Sequence, residues 1–163
     1  MKTVILLRHG KSDWDSNYDK DHERPLAIRG INDAKKMGLY LSSIKQTPDL
    51  TISSTAERAK TTAKLALKSG KWNSSLILEK SIYESSINNL LFILSIQKPI
   101  INNICLVGHE PTFSSFISRG TNSDWIKFPT CAMARIDFNT KRWKNIKFGE
   151  GKLCWVKKPK EIG

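Results

Sequence analysis

The stretch TVILLRHGKSDW, residues 3–14, joins a continuous apolar segment directly to an arginine, a histidine and a glycine. The apolar residues are typical of a strand that is covered on both faces, as in a parallel sheet. Core strands usually end in small turn residues, whereas this one ends in a cation and an imidazole that titrates near neutrality. Residues 8–10 are therefore candidates for a chemical function and not only for a turn.

Alternating strand and helix patterns follow this strand for about two-thirds of the chain. Strands are predicted at 2–7, 50–53, 76–78 and 104–107, and helices at 29–44, 55–68, from 85 or 86 to 96, and from 111 to about 120. Near the C-terminus, 134–138 and 143–148 are predicted to form a hairpin around Asn139-Thr140. We predict one α/β domain over residues 1–163, a three-layer α/β/α sandwich with a mostly parallel central sheet.

Composition limits the classes of protein that fit. The chain has 163 residues, 39% of them hydrophobic and 26% charged, which is ordinary for a globular protein. No apolar run approaches the roughly 20 residues of a membrane span, and residues 3–7 are too short for a signal peptide. We therefore expect a cytoplasmic protein without a membrane partner. The three cysteines show no C-x-x-C spacing, which favours neither a disulfide framework nor a zinc site.

The net charge of +12 indicates anionic partners. Eight basic residues and one acid, Glu150, lie between Lys141 and Lys160. This run is interpreted first as a solvated face that aids solubility, and alternatively as a surface that attracts an acidic protein substrate. No RNA-binding motif or base-stacking platform is evident, so nucleic-acid binding is a minor alternative.

Four cationic or titratable side chains follow three different predicted strands. Arg8 and His9 end the first strand, Arg58 lies in the first turn of the helix after the second, and His109 follows the strand at 104–107. In a parallel sheet, ligands bind at the carboxyl ends of the strands. These side chains would repel one another there without an anion, and arginine binds phosphate oxygens in a bidentate manner. Together with a neutral imidazole as nucleophile, the pattern predicts phosphoryl transfer through a covalent phosphohistidine.

The same segments resemble a known family. RHG at 8–10, STAERAKTTA at 54–63 and VGHEP at 107–111 are similar to motifs of the histidine phosphatase superfamily, also called phosphoglycerate mutase-like. HERPLAIRG at 22–30 resembles the RPL-x-x-RG signature of small bacterial phosphohistidine phosphatases. The resemblance implies a phosphoglycerate mutase-like fold and a phosphatase that needs no metal or cofactor.

The resemblance also implies roles for individual residues. His9 would be the nucleophile, Arg8 and Arg58 would bind the phosphoryl oxygens, and a protonated His109 would stabilise the transition state. Glu84 would be the general acid. Glu110, next to His109, is the alternative, and a labile P–N bond leaves open that no acid is needed.

Three further residues are candidates for binding substrate: Lys11, Ser12 and Arg24. Mutases usually carry an acidic or amide residue at the position of Lys11, which argues against a mutase. Ser54 is interpreted as a helix cap, although its hydroxyl could also bind phosphate.

The leading prediction is a phosphatase acting on phosphohistidine in a protein. The alternatives are a phosphatase of small phosphoesters, such as sugar or nucleotide phosphates, and a non-catalytic phosphoprotein-binding module. The oligomeric state stays open.

Overall fold

A computed structural model describes residues 1–163 as a six-stranded sheet with four α-helices. The strands are β1 (Lys2–Arg8), β2 (Leu50–Ser53), β3 (Ser75–Leu78), β4 (Asn103–Gly108), β5 (Met133–Phe138) and β6 (Gly151–Lys157). The helices are α1 (Ile28–Ser43), α2 (Glu57–Ser69), α3 (Ile87–Ser95) and α4 (Thr112–Thr121). None of these helices is both long and apolar enough to cross a membrane.

The strand order is β3-β2-β4-β1-β5-β6. β1 to β4 run parallel, β5 is antiparallel to β1, and β6 is antiparallel to β5. The two central strands, β1 and β4, are almost completely buried. The predicted α/β fold with a mostly parallel sheet is confirmed.

Side chains of β1 alternate between the two faces of the sheet, which follows from the two-residue period of a strand. Val4 and Leu6 belong to the core cluster that includes α3 and α4. Ile5 and Leu7 belong to the cluster that includes α1 and α2. Helices on both faces explain why the first strand is apolar without interruption.

The predicted C-terminal hairpin is wrong in its second strand. β5 pairs with β6 at Gly151–Lys157, whereas Trp143–Asn145 forms a short 3-10 turn. Trp143 is fully buried, and its indole N–H donates to the Ile101 carbonyl at 2.7 Å. The apolar residues at 143–148 therefore cover the core beside α3 and do not form a sheet edge.

Helices α1 and α2 approach each other closely at Gly38. A β-carbon at this position would lie 2.1 Å from the carbonyl oxygen of Ala66. The α2 side of the contact is made of small buried residues, Ala59, Ala63 and Ala66. The alanine-rich sequence of α2 thus allows two backbones to pack almost directly on each other.

Gly38→Ala should destabilise the protein by about 3 kcal/mol, because overpacking a close contact outweighs the better helix propensity of alanine. The free energy of unfolding in urea measures the effect. Gly120→Ala is the matched control, since its β-carbon would meet Phe116 only at 3.9 Å. Equal stability of the two variants would contradict the close contact.

Candidate active site

The carboxyl ends of β1 and β4 and the start of α2 surround a cavity of about 570 Å³. The structure brings every predicted site residue to the wall of this cavity: Arg8, His9, Lys11, Ser12, Arg24, Arg58, Glu84 and His109. Glu110, the alternative general acid, also lines it. Residues as far apart in the chain as Arg8 and Glu110 therefore meet at one edge of the sheet.

The backbone around His9 is held on three sides. The His9 N–H donates to the Gly108 carbonyl at the end of β4, and the Cys131 N–H donates to the His9 carbonyl, both at 3.0 Å. The Gly10 N–H donates to the hydroxyl of Thr62 on α2, also at 3.0 Å. These bonds fix the end of β1 relative to its neighbours and so fix the position from which the imidazole projects.

Gly10 is required by a close approach of two backbones. A β-carbon at Gly10 would lie 2.8 Å from the carbonyl oxygen of Gly30 in the first turn of α1. The glycine after the histidine therefore lets α1 pack directly against the end of β1.

One hydrogen bond fixes the tautomer of His9. Its Nδ1 lies 2.7 Å from the Gly10 carbonyl oxygen, which can only accept, so Nδ1 carries the proton. Nε2 is then left with its lone pair. Burial, and to a smaller extent the charges of Arg58 and Arg8, lower the pKa of His9 to about 4 despite the bond to Gly10. His9 is therefore a neutral imidazole at neutral pH with one ring nitrogen able to attack.

His109 faces His9 with the two ring centroids 5.3 Å apart. Its Nε2 lies 2.8 Å from the hydroxyl oxygen of Ser54, which also accepts from the Ala56 N–H at 3.1 Å. Ser54 therefore orients the second histidine in addition to binding the backbone before α2. Ser54 is not the N-cap of α2, because the helix begins at Glu57.

The expectation of a protonated His109 applies to the state with a phosphoryl group bound, whereas without an anion the ring is neutral. Burial, followed by the neighbouring His9 and Arg58, lowers the pKa of His109 to about 3. An anion in the cavity would favour the imidazolium and raise this pKa. His109 can therefore gain its proton together with a phosphoryl dianion.

The two predicted arginine ligands each keep a buried donor. Arg8 donates from Nη1 to the Phe128 carbonyl at 3.0 Å, and Arg58 donates from Nη1 to the Asp21 carbonyl at 2.8 Å. The Nε–H groups of both arginines are buried and have no partner within the protein. Both residues also line the cavity, so the positive charge of their guanidinium groups suits a bound oxyanion.

Asp21 is the main residue of the site that the sequence did not reveal. Its carboxylate accepts from Arg58 Nη2 at 3.0 Å, from the Tyr83 hydroxyl at 2.8 Å, and from Arg24. Burial alone would raise the pKa of Asp21, but Tyr83 and Arg58 outweigh it and lower that pKa to about 2. The position lies in an aperiodic loop, where only its nearness to the RPL motif offered a clue.

Two contacts hold this loop against the site. His22 Nε2 lies 2.8 Å from the Thr55 hydroxyl oxygen, and the His22 ring packs edge-on against Tyr83 at 4.9 Å. His22 thus joins the loop to the segment that precedes α2.

The three predicted substrate-binding residues differ in their surroundings. Ser12 is buried, and its hydroxyl oxygen accepts from Arg24 Nε at 2.9 Å. The Arg24 guanidinium also stacks 3.5 Å above the ring of Trp14. Lys11 is exposed at the rim of the cavity. Ser12 therefore positions an arginine, while Lys11 faces the solvent side.

The two candidate acids are distinguished by their hydrogen bonds. Glu110 Oε1 accepts from the Ser114 N–H at 2.6 Å, which places this carboxylate at the first turn of α4. Glu84 is exposed, lines the cavity and makes no hydrogen bond to the protein. Its backbone has a left-handed φ of 56°. Glu84 is therefore the carboxyl that is available to a ligand.

The site is suited to an anion rather than a cation. No group of three or more His, Cys, Asp or Glu side chains lies close enough together to hold a metal ion. Three arginines line the cavity: Arg24 and Arg58 are buried, and Arg8 is partly buried.

Stability should fall as the pH is lowered from about 6.5 toward 4. The unfolded chain binds protons at histidines near pH 6.5, whereas His9 and His109 in the folded protein bind them only near 4 and 3. Above pH 6.5 the two histidines do not lower the free energy of unfolding. Below pH 6.5 this free energy falls by up to roughly 1.4 kcal/mol per pH unit for each histidine. Urea unfolding at about pH 7 and about pH 5 measures this slope.

The control for this experiment is His9→Asn/His109→Asn, which should show a flatter dependence on pH. A steeper or identical slope in the double variant would contradict the lowered pKa values.

Comparison with known proteins agrees with this site. The model of the histidine phosphatase superfamily (branch 1) matches residues 4–90. An uncharacterized chloroplast protein of Arabidopsis thaliana is 31% identical over 152 residues, which cover 88% of this chain and 69% of the relative.

Two solved structures share the fold over nearly the whole chain. A candidate phosphohistidine phosphatase SixA from Agrobacterium tumefaciens has a TM-score of 0.82 at 22% identity, covering 97% of this chain and 98% of its own. A protein histidine phosphatase SixA, solved with tungstate, has a TM-score of 0.85 at 18% identity, covering 99% of both chains. The matched model and the arrangement around His9 lead to one conclusion: this chain belongs to the histidine phosphatase superfamily.

Proposed function

We propose that this protein is a phosphatase that removes the phosphoryl group from phosphohistidine in a protein, through a covalent phosphohistidine on His9. The observation that carries the proposal is the state of His9: a buried, neutral imidazole whose Nε2 lone pair is left free by the bond from Nδ1 to Gly10. Arg8 and Arg58 line the same cavity, and their guanidinium groups supply positive charge for phosphoryl oxygens.

A sequence resemblance, a shared fold and the exposed rim of the cavity support a protein side chain as the substrate, and a bound oxyanion in one relative supports a phosphoryl group. The HERPLAIRG segment resembles the signature of small phosphohistidine phosphatases, and the two SixA proteins share the fold. The tungstate bound by one of them is a tetrahedral oxyanion like phosphate. Exposed residues, among them Lys11, Trp14 and Glu84, form the rim of the cavity, where a side chain on another protein can reach.

The first chemical step transfers the phosphoryl group to the enzyme. Nε2 of His9 attacks phosphorus, and the P–N bond of the substrate breaks with its electron pair going to the leaving imidazole. Glu84 donates a proton to that leaving group. Arg8 and Arg58 stabilise the charge on the phosphoryl oxygens, and His109 does so once it has gained a proton.

The second step returns His9 to its starting state. A water molecule attacks phosphorus, the bond from phosphorus to Nε2 breaks, and the carboxylate of Glu84 accepts the proton of the water. Inorganic phosphate leaves. Asp21 touches Arg58 through two separate acceptors and keeps this guanidinium in place during both steps.

We infer that residues 1–163 form one catalytic domain, because the two core clusters pack on the two faces of the same sheet. We propose that the enzyme and its phosphorylated partner protein are cytoplasmic.

A phosphatase of small phosphoesters is the second candidate. The availability of Glu84 favours it, because the alkoxide leaving group of an ester needs a proton donor more than a labile P–N bond does. A panel of sugar and nucleotide phosphates, assayed beside a protein phosphorylated on histidine with phosphoramidate, separates the two. Turnover of the esters alone would overturn the proposed substrate.

His9→Asn should reduce turnover of the phosphorylated protein at least about 1000-fold, because it removes the nucleophile. Wild-type enzyme quenched during turnover should carry acid-labile phosphate on His9, detected by mass spectrometry, and the variant should carry none. Urea unfolding of the variant controls for loss of structure. Binding of the phosphoprotein without any phosphate on His9 would instead indicate a non-catalytic binding module.

Glu84→Gln should lower kcat/KM for an alkyl phosphate by about 100-fold or more, and far less for p-nitrophenyl phosphate, whose leaving group needs no proton. Glu110→Gln is the matched control, because its carboxylate is bound to the Ser114 N–H. The ratio between the two substrates should shift only in the Glu84 variant. A shift in the Glu110 variant instead would assign the acid to Glu110.

A further inference from the structure

A second cavity, of about 340 Å³, lies next to the active site and is lined almost entirely by charged and polar residues. Three separate segments form it: one face of α1, the chain before β5, and the turn that follows β6. We call this cavity the basic cleft, after its five cationic residues: Arg29, Lys36, Lys127, Lys158 and Lys160.

The cations of the basic cleft are not neutralised by the protein. Asp33 is the one acidic residue in its lining. The ion pairs of the structure all involve other cations, namely Arg24, Arg58, Lys60 and Arg135. Five like charges around one cavity favour an anionic ligand.

The chain before β5 connects the basic cleft to the active site. Thr130 lines both cavities, while Lys127 and Pro129 line only the basic cleft. In the same segment, the Phe128 carbonyl accepts from Arg8 and the Cys131 N–H donates to the His9 carbonyl. A ligand that occupies both cavities therefore passes over a single stretch of backbone.

We propose that the basic cleft binds acidic side chains that neighbour the phosphohistidine on the protein substrate. The inference rests on the proposed function and adds a determinant of specificity to it. A phosphoryl group alone occupies only part of the active-site cavity, whereas a polypeptide can place its phosphohistidine there and its carboxylates in the adjoining cleft. Attraction of this kind increases the rate of productive encounter and is screened by salt.

The test uses two phosphohistidine peptides that differ only in the residues flanking the histidine, which are Asp and Glu in one and Asn and Gln in the other. At low salt, kcat/KM of the wild-type enzyme should be about 10-fold or more higher for the acidic peptide. The preference should shrink as NaCl is raised. In Lys36→Glu/Lys127→Glu the two peptides should be turned over with equal kcat/KM, or the order should reverse.

Lys98→Glu/Lys144→Glu is the matched control, because it makes the same change of charge elsewhere on the surface. Lys98 lies just before β4, at the end of the sheet opposite the active site, and Lys144 follows Trp143, which is bonded to Ile101 in the same region. This variant should keep the wild-type preference for the acidic peptide. Loss of the preference in both variants would show that net charge, not the basic cleft, is responsible.

Binding of the same two peptides without phosphate, measured by calorimetry, separates this inference from the proposed function. Wild-type protein should bind the acidic peptide more tightly, and Lys36→Glu/Lys127→Glu should not. Equal binding of both peptides by the wild type would overturn the inference even if both phosphopeptides are turned over. Preferential binding without any dephosphorylation would instead overturn the proposed function and leave the basic cleft as an acid-binding surface.

Discussion

The bond between His9 Nδ1 and the Gly10 carbonyl is the interaction on which the site depends. It selects one tautomer, and together with burial it decides which ring nitrogen can attack and in which protonation state. The carbonyl is in the right place because Gly10 is itself held by Thr62 on α2 and packs against Gly30 on α1. The chemistry of one imidazole thus rests on the packing of two helices against the first strand.

Charge balance explains why a cavity with several buried cations is tolerated. Asp21 is the counter-charge for Arg58 and Arg24, and the bond from Tyr83 helps to keep its carboxylate ionised. The lowered pKa values keep both histidines neutral, so they add no further positive charge to the cavity. The remaining excess of positive charge lies on the arginines, mainly Arg8, and a phosphoryl group can offset it. Binding and protonation of His109 are then coupled events, because each favours the other.

The sequence revealed those parts of the site that follow regular strands and helices. Arg8, His9, Arg58 and His109 were predicted because their strand ends had to meet at one edge of the sheet. Asp21 is not predicted from the sequence, because an aperiodic loop gives no indication of where its residues lie in the fold. The low pKa of His109 is not predicted either, because it depends on burial and on the nearness of His9, which only the three-dimensional structure shows. β6 was misplaced because Trp143 and Ile146 are apolar residues that cover the core outside the sheet.

The basic residues near the C-terminus lie in two different environments. Of the run from Lys141 to Lys160, only Lys158 and Lys160 reach the basic cleft, where they meet cations from α1. Lys141 and Lys144 are exposed in the connection between β5 and β6 and line neither cavity. The basic run therefore divides into a solvated part and a part that adjoins the cavity lined by His9. The segment from Lys127 to Cys131 links the basic cleft to the active site, because the same backbone borders the cleft and bonds to Arg8 and His9.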